Sequence, residues 1–181
     1  MSPTYQNLIV IDEEKCSGCE ICEAACRFAH EGKFTAVNSR IHRIRIEPVI
    51  NFAMACQFCA DPPCVTACPR DALSKDEKTG VIHVNEKECD GCSYCIHVCP
   101  FGAITLHSVR KKAIMCDLCE STEEKEPQCI KYCPKEAISL KPVVAIAQES
   151  RKEQVIALFK SLGKDTSQPE PPAKQASTAK T

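Results

Sequence analysis

The sequence predicts a small α+β protein whose short strands and helices are folded around clustered sulfur rather than a conventional apolar core. Three observations predict it. Sixteen cysteines fall into four sets of four, with none left over. Two internal repeats tie those sets to short strands. Hydrophobic residues reach 44%, but aromatics only 5% of 181 residues, and Trp is absent, so large core-filling side chains are scarce.

The stretch Glu88–Pro100 (ECDGCSYCIHVCP) organises the rest. Cys89, Cys92, Cys95 and Cys99 are separated by two, two and three residues, and Pro100 follows directly. This is the bacterial ferredoxin run that wraps a 4Fe-4S cluster. Three thiolates on one tight loop hold three corners of a cube, and the loop N–H groups turn inward toward the sulfides. Pro100 biases Cys99 away from the helical region. Cys16, Cys19, Cys22 and Cys26 repeat the spacing, with Arg27 where a Pro is expected. Cys56, Cys59, Cys64 and Cys68 end in Pro69, and Cys116, Cys119, Cys129 and Cys133 end in Pro134, with wider middle gaps of four and nine residues.

Zinc takes its ligands as two Cys-x-x-Cys pairs in a tetrahedron, a scheme with no use for a third Cys and a Cys-Pro. Disulfides suit a secreted chain. Here Met1–Gln6 is polar and Leu8–Ile11 too short for a signal segment, so a reducing compartment is expected, the cytoplasm of a bacterium or archaeon. A net charge of −1 gives no reason to expect nucleic acid, and no apolar run is long enough for a membrane span. His30, His42, His83, His97 and His107 read as surface or loop residues because the thiolate count is complete; His97, inside motif three, has the option of tuning one potential. The six glycines form no dinucleotide or phosphate loop. No catalytic residues are visible, and the chain reads as a conductor rather than a catalyst.

In chain order, Asn7–Asp12 predicts a buried strand. Val10–Cys16 parallels His83–Cys89 as strand, polar turn and cysteine loop. CPRDAL, CPFGAI and CPKEAI (68–73, 99–104, 133–138) each predict a turn, a short helical turn and an apolar strand. Ser39–Glu47 predicts a strand with Ile44 and Ile46 inward and Arg43 and Arg45 outward, on a charged sheet edge or a docking surface. Asp76–Gly80 predicts a hairpin turn before strand Val81–Val84. Glu120–Glu126 is an exposed acidic insertion. Ser150–Gly163 predicts a helix with Ser150 as N-cap, Gly163 at C′, and an apolar stripe of Val155, Leu158, Phe159 and Leu162. Residues 164–181 predict disorder.

Four such motifs over about residues 7–142 resemble the four-cluster iron–sulfur electron-transfer subunits that serve dimethyl sulfoxide reductase, formate dehydrogenase and carbon monoxide dehydrogenase–hydrogenase systems. The missing Pro after Cys26 and the segment RFAHEGKF…SRIHRI look most like the small subunit of tungsten-dependent aldehyde oxidoreductases. The resemblance implies four 4Fe-4S clusters in two pseudo-symmetric ferredoxin-like lobes. Residues 1–34 with 112–142 would form the outer lobe, 35–111 the inner lobe, 143–163 a helical extension and 164–181 a tail. It also implies crossed ligation, in which a fourth cysteine serves the neighbouring cluster. Cys16, Cys19 and Cys22 would join Cys133; Cys116, Cys119 and Cys129 would join Cys26. Cys56, Cys59 and Cys64 would join Cys99; Cys89, Cys92 and Cys95 would join Cys68. The implied function is a relay of single electrons between a tungsto- or molybdopterin catalytic subunit, oxidising an aldehyde in the tungsten case, and a flavin/NAD subunit or a ferredoxin. The alternatives are a free-standing polyferredoxin, or a subunit of a hydrogenase, carbon monoxide dehydrogenase or formate dehydrogenase system. The C-terminal helix is expected to cover its own domain or to dock on a partner, including a second copy.

Overall fold

The computed structural model describes residues 6–34, 37–46, 50–124 and 126–162. Their elements run β1 (Asn7–Ile11), α1 (Ile21–Glu31), β2 (His42–Ile46), β3 (Ile50–Met54), α2 (Pro63–Thr66), β4 (Leu73–Lys75), β5 (Ile82–Val84), α3 (Tyr94–Val98), β6 (Thr105–Leu106), β7 (Ala113–Ile114), α4 (Gln128–Lys131), β8 (Ile138–Pro142) and α5 (Val143–Ser161). The chain divides into one unit through Val144 and a second from Ala145 onward.

The first unit is a mixed α/β body of antiparallel strand pairs: β1 with β8, β2 with β3, β4 with β5, and β6 with β7. Polar side chains that hold turns define where strands stop. Asp76 Oδ1 accepts the N–H groups of Lys78 at 2.7 Å and Thr79 at 2.8 Å, closing the β4–β5 hairpin. Asp12 Oδ1 accepts from Glu14 at 3.1 Å, and Asn85 Oδ1 from Lys87 at the same distance, so the two repeated strand–turn phrases share one geometry. In both, the next cysteine N–H returns to the turn carbonyl, Cys16 to Asp12 at 3.1 Å and Cys89 to Asn85 at 3.0 Å.

Distant motifs are laced together through these turns. Asp12 N–H donates to Ala137 O, behind motif four, and Asn85 N–H donates to Ala72 O, behind motif two. Helix α1 packs on α4, and α2 on α3. The core combines Ile9, Ile41, Leu73, Val81, Ile82, Ile104, Met115 and Ile138 with Cys26, Cys56, Cys64, Cys89, Cys95, Cys116, Cys119 and Cys129; Phe58 is its one buried aromatic among the described residues. Half of the sixteen cysteines therefore occupy positions that Leu or Phe would hold elsewhere.

Four expectations change. The predicted inward face of Ser39–Glu47 is wrong: Ile44 and Ile46 are exposed, and Ile41, before the strand begins, takes the core position. Arg43 turns partly inward, because its N–H is held by Glu23 Oε1 and its guanidinium lies 2.7 Å from Glu20. The helical turns lie before the fourth cysteines, as α2, α3 and α4, not after them. In the acidic insertion Thr122 is buried, its hydroxyl donating to Cys119 O at 2.8 Å. Helix α5 starts at Val143, straight from β8, so Ser150 is an interior helical residue and not a cap. Val143 N–H instead donates to Gln6 O at 3.0 Å. Within the second unit Val155, Leu158, Phe159 and Leu162 are all exposed. Gly163, the 164–181 tail, Glu47 and Lys125 lie outside the described residues.

Candidate metal centres

The cysteine loops repeat one strained backbone. Gly18 and Glu20 flank Cys19 with φ of 68° and 64°, and Gly91 and Ser93 flank Cys92 with 75° and 71°. Phe58 in motif two, and Leu118 and Cys119 in motif four, are also left-handed, at 43°, 55° and 61°. Non-glycine residues in this region cost on the order of 1–3 kcal/mol each and persist where function over-determines them. The effect is to curl N–H groups toward one side, the concave arrangement that receives anions. Asp90 and Asp117 support the curl: each follows the first cysteine of its loop and accepts the N–H of the second, Cys92 at 3.2 Å and Cys119 at 3.1 Å.

The three Cys-Pro repeats form one turn. Asp71, Gly102 and Glu136 have φ of 48°, 59° and 49°, and their N–H groups donate to the carbonyls of Cys68, Cys99 and Cys133. That turn points Ala72 N–H at Cys68 Sγ and Ala137 N–H at Cys133 Sγ, both at 3.3 Å. Motif one solves the same problem differently. Without a proline, α1 continues past Cys26 to Glu31, and the N–H that meets Cys26 Sγ comes from Arg40, again at 3.3 Å.

Cysteines distant in sequence come together. Cys16, Cys19, Cys22 and Cys133 line one small cavity. Cys68, Cys89, Cys92 and Cys95 line another. Burial pushes the thiols of Cys22 and Cys56 up to about 12, and those of Cys95 and Cys119 up to about 11. Cys26, Cys64, Cys116 and Cys129 rise for the same first reason. Neighbouring sulfur adds to it: Cys99 raises Cys56 and Cys64, and Cys26 raises Cys116, Cys119 and Cys129. Buried thiols of this kind ionise when a metal replaces the proton. All sixteen are free of disulfides. Sulfur sets that ring a shared space, and N–H donors aimed at sulfur, fit iron–sulfur clusters.

A buried polar knot adjoins motif four. Asp117 Oδ2 lies 2.8 Å from Arg40 Nη1, and Oδ1 lies 3.5 Å from His30 Nε2, which is 3.8 Å from Cys119 Sγ. Burial lowers His30 to about 4, and Arg40 pushes it the same way, so the imidazole is neutral. Burial works to raise Asp117, but the Arg40 charge and the Ser121 hydroxyl outweigh it and hold the carboxyl low. His107 is buried, with Nε2 3.2 Å from Glu31 and Nδ1 accepting from Val109 and Arg110. His83 pairs with Glu120 at 3.7 Å, and His97 is exposed. Local sequence does not mark Arg40, Asp117 or Glu23 as part of the site. Only one signal was available, an Asp directly after the first cysteine in both Cys89–Asp90 and Cys116–Asp117.

Left-handed cysteine loops, Cys-Pro turns that aim N–H groups at sulfur and buried thiols define an iron–sulfur electron-transfer protein of the ferredoxin type. The model of the 4Fe-4S dicluster domain matches residues 48–143, and the chain belongs to that family. A 4Fe-4S binding domain also matches residues 9–29. The aliphatic sulfonate oxidoreductase polyferredoxin-like subunit of Pyrococcus furiosus is 41% identical over 125 residues, 69% of this chain and 70% of that one. YsaA of Escherichia coli K12 is 38% identical over 156 residues, 82% of this chain and 98% of that one. Among solved structures, the BamBC active site complex of benzoyl coenzyme A reductase overlays with a TM-score of 0.43 at 23% identity, covering 86% of this chain and 96% of that chain. Among the described residues no helix is long and apolar enough to cross a membrane.

Proposed function

We propose that this chain is a relay subunit, holding four 4Fe-4S clusters by crossed ligation in two ferredoxin-like lobes and passing single electrons between a catalytic subunit and a second redox partner. One observation carries the reading. Of the sixteen cysteines only Cys19 and Cys92 are exposed, and they belong to different ligand sets. Two different sets thus each present one sulfur ligand to solvent, while the Cys56 and Cys116 sets have no exposed cysteine. A bound 4Fe-4S cluster takes up or releases one electron at a time, at potentials anywhere from roughly −700 to +450 mV.

The cavities and the sulfur neighbourhoods support the four sets Cys16/Cys19/Cys22/Cys133, Cys116/Cys119/Cys129/Cys26, Cys56/Cys59/Cys64/Cys99 and Cys89/Cys92/Cys95/Cys68. The β1–β8 pairing and the α1–α4 contact support an outer lobe of 1–34 with 112–142, and the α2–α3 contact an inner lobe of 35–111. Exposed apolar side chains favour a fixed subunit over a diffusing carrier. Ile21, Phe28 and Phe34 stand out beside motif one, and Tyr94, Val98 and Phe101 beside motif three. The subunit wording of the Pyrococcus relative's name points the same way. The catalytic partner is a tungsto- or molybdopterin enzyme, an aldehyde oxidoreductase by the resemblance of the 27–44 segment, and the acceptor a flavin/NAD subunit or ferredoxin. The cytoplasm suits thiols that must stay reduced until iron arrives.

Iron analysis of anaerobically purified protein is expected to give about sixteen irons per chain. Native purification should bring along a large molybdenum- or tungsten-containing chain. A protein that elutes alone is a free polyferredoxin and ends the subunit reading. Truncation after Pro142 tests whether α5 serves partner docking or self-association: iron should be retained and the assembly lost.

A further inference from the structure

We infer that Arg40 and Asp117, acting as an opposed charge pair, set the reduction potential of the one cluster held by Cys116, Cys119, Cys129 and Cys26. The inference rests on the ligand sets proposed above. Arg40 reaches this site twice. Its backbone N–H donates to Cys26 Sγ at 3.3 Å, and its guanidinium lies 2.8 Å from Asp117 Oδ2. Asp117 sits directly after Cys116, and its other oxygen accepts Cys119 N–H. The Asp117 carboxylate is therefore fastened to the ligand frame directly, and the Arg40 guanidinium is held there by its pairing with that carboxylate.

Burial separates this pair from the two pairs beside the loops of motifs one and three, and the other enclosed pair, Arg27 with Glu23, holds the Arg43 N–H rather than a cysteine sulfur or a cysteine-loop N–H. The Asp117 side chain is 8% exposed, whereas Asp90, paired with Arg70 beside motif three, is 43% exposed, and Glu20, paired with Arg43 beside motif one, is 53% exposed. A charge kept from water is screened little, and a charge in water is screened almost completely over the same distance. Reduction adds one negative charge to the sulfur-bound centre. A fixed cation favours that step and a fixed anion opposes it. In the native protein the two effects partly cancel, so removing either partner should unmask the other.

A purely structural knot makes a different prediction. Asp117 also accepts from Ser121 and faces His30, so loss of either Arg40 or Asp117 would loosen the same loop and disturb the cluster in the same direction. The sign of the shift separates the two.

The test is an EPR-monitored redox titration of the iron-loaded full chain, with iron measured on each sample. Arg40→Gln is expected to lower one midpoint potential and Asp117→Asn to raise the same one. The double variant should return near the native value, and the other three midpoints should stay in place. Shifts in the same direction, or none with iron unchanged, overturn the inference. Should Arg40→Gln lose iron, Arg40→Lys and Asp117→Asn decide: an unmoved midpoint in Lys with a raised one in Asn supports it, and an unmoved midpoint in Asn overturns it. Native protein showing fewer than four components, with less than about sixteen irons, removes the ligand reading and the inference together. Four components of which none responds removes the inference alone.

Discussion

Arg27 Nη1 lies 3.1 Å from Glu23 Oε2, one turn back along α1, with both side chains largely enclosed. The other oxygen of Glu23 accepts the backbone N–H of Arg43, so this carboxylate joins α1 to the start of β2. The residue standing where a proline is expected is thus part of the helix that carries Cys22 and Cys26.

Arg27→Pro tests that role. The ring removes a helical hydrogen bond and clashes one turn back, at a cost of about 3 kcal/mol or more. The variant is expected to lose iron from the sets that contain Cys22 and Cys26 and to unfold at lower temperature. A native iron content would show that α1 is dispensable for ligation.

The loop glycines differ in what surrounds them. A Cβ at Gly91 would stand 2.1 Å from the Lys111 carbonyl oxygen, whereas one at Gly102 meets nothing within 4 Å. Both have positive φ, so each alanine costs about 1–2 kcal/mol from backbone strain. Gly91→Ala adds a clash with backbone that cannot turn away. Thermal unfolding should rank Gly91→Ala far below Gly102→Ala; equal values would refute the close approach.

Crossed ligation is open to chemical footprinting. In Cys133→Ser, anaerobic alkylation read by mass spectrometry should label Cys16, Cys19 and Cys22 and spare Cys116, Cys119 and Cys129. Cys26→Ser should give the reverse. Labels that stay within the mutated motif would mean that each motif closes its own cluster.

His42 gives a pH test. Burial lowers its pKa, with Glu23 opposing only in part, and its Nε2 is enclosed without a hydrogen-bond partner. The unfolded chain binds a proton near pH 6.5. The folded state binds it only at lower pH, so the stability this residue contributes is complete above about pH 6.5 and declines as pH falls below it. Melting temperature between pH 7 and 5 should fall less steeply in His42→Gln than in the native protein. Parallel curves would exclude His42 as the source.

Sulfur spacing carries information that survives without tertiary context, which is why the cysteine loops, the Cys-Pro turns and the paired strand–turn phrases were legible. Each depends on neighbours within six residues or so: Asp12 and Asn85 hold their own turns, and Asp71 and Glu136 take the left-handed position wherever Cys-Pro precedes them. What was not legible depends on distant partners. Alternation placed Ile44 and Ile46 inside, but the Glu23 and Glu20 carboxylates draw Arg43 inward and leave Ile41 to fill the core. Ser150 looked like a helix start because the true start, at Val143, donates its N–H to the carbonyl oxygen of Gln6, 137 positions earlier in the chain. Nothing local marks Asp117, whose place depends on Arg40 and His30 arriving beside it from distant parts of the chain.

The exposure of Cys19 and Cys92 also decides how the proposed relay fails. Oxidants reach solvent-open sulfur first, so air should strip the two positions that hold Cys19 and Cys92 while those with no exposed cysteine persist. A sample aged in oxygen would then retain much of its colour and iron yet pass no current, because a wire cut at its contacts is dead at full length. Bound partners that cover those contacts would act as insulation as well as terminals.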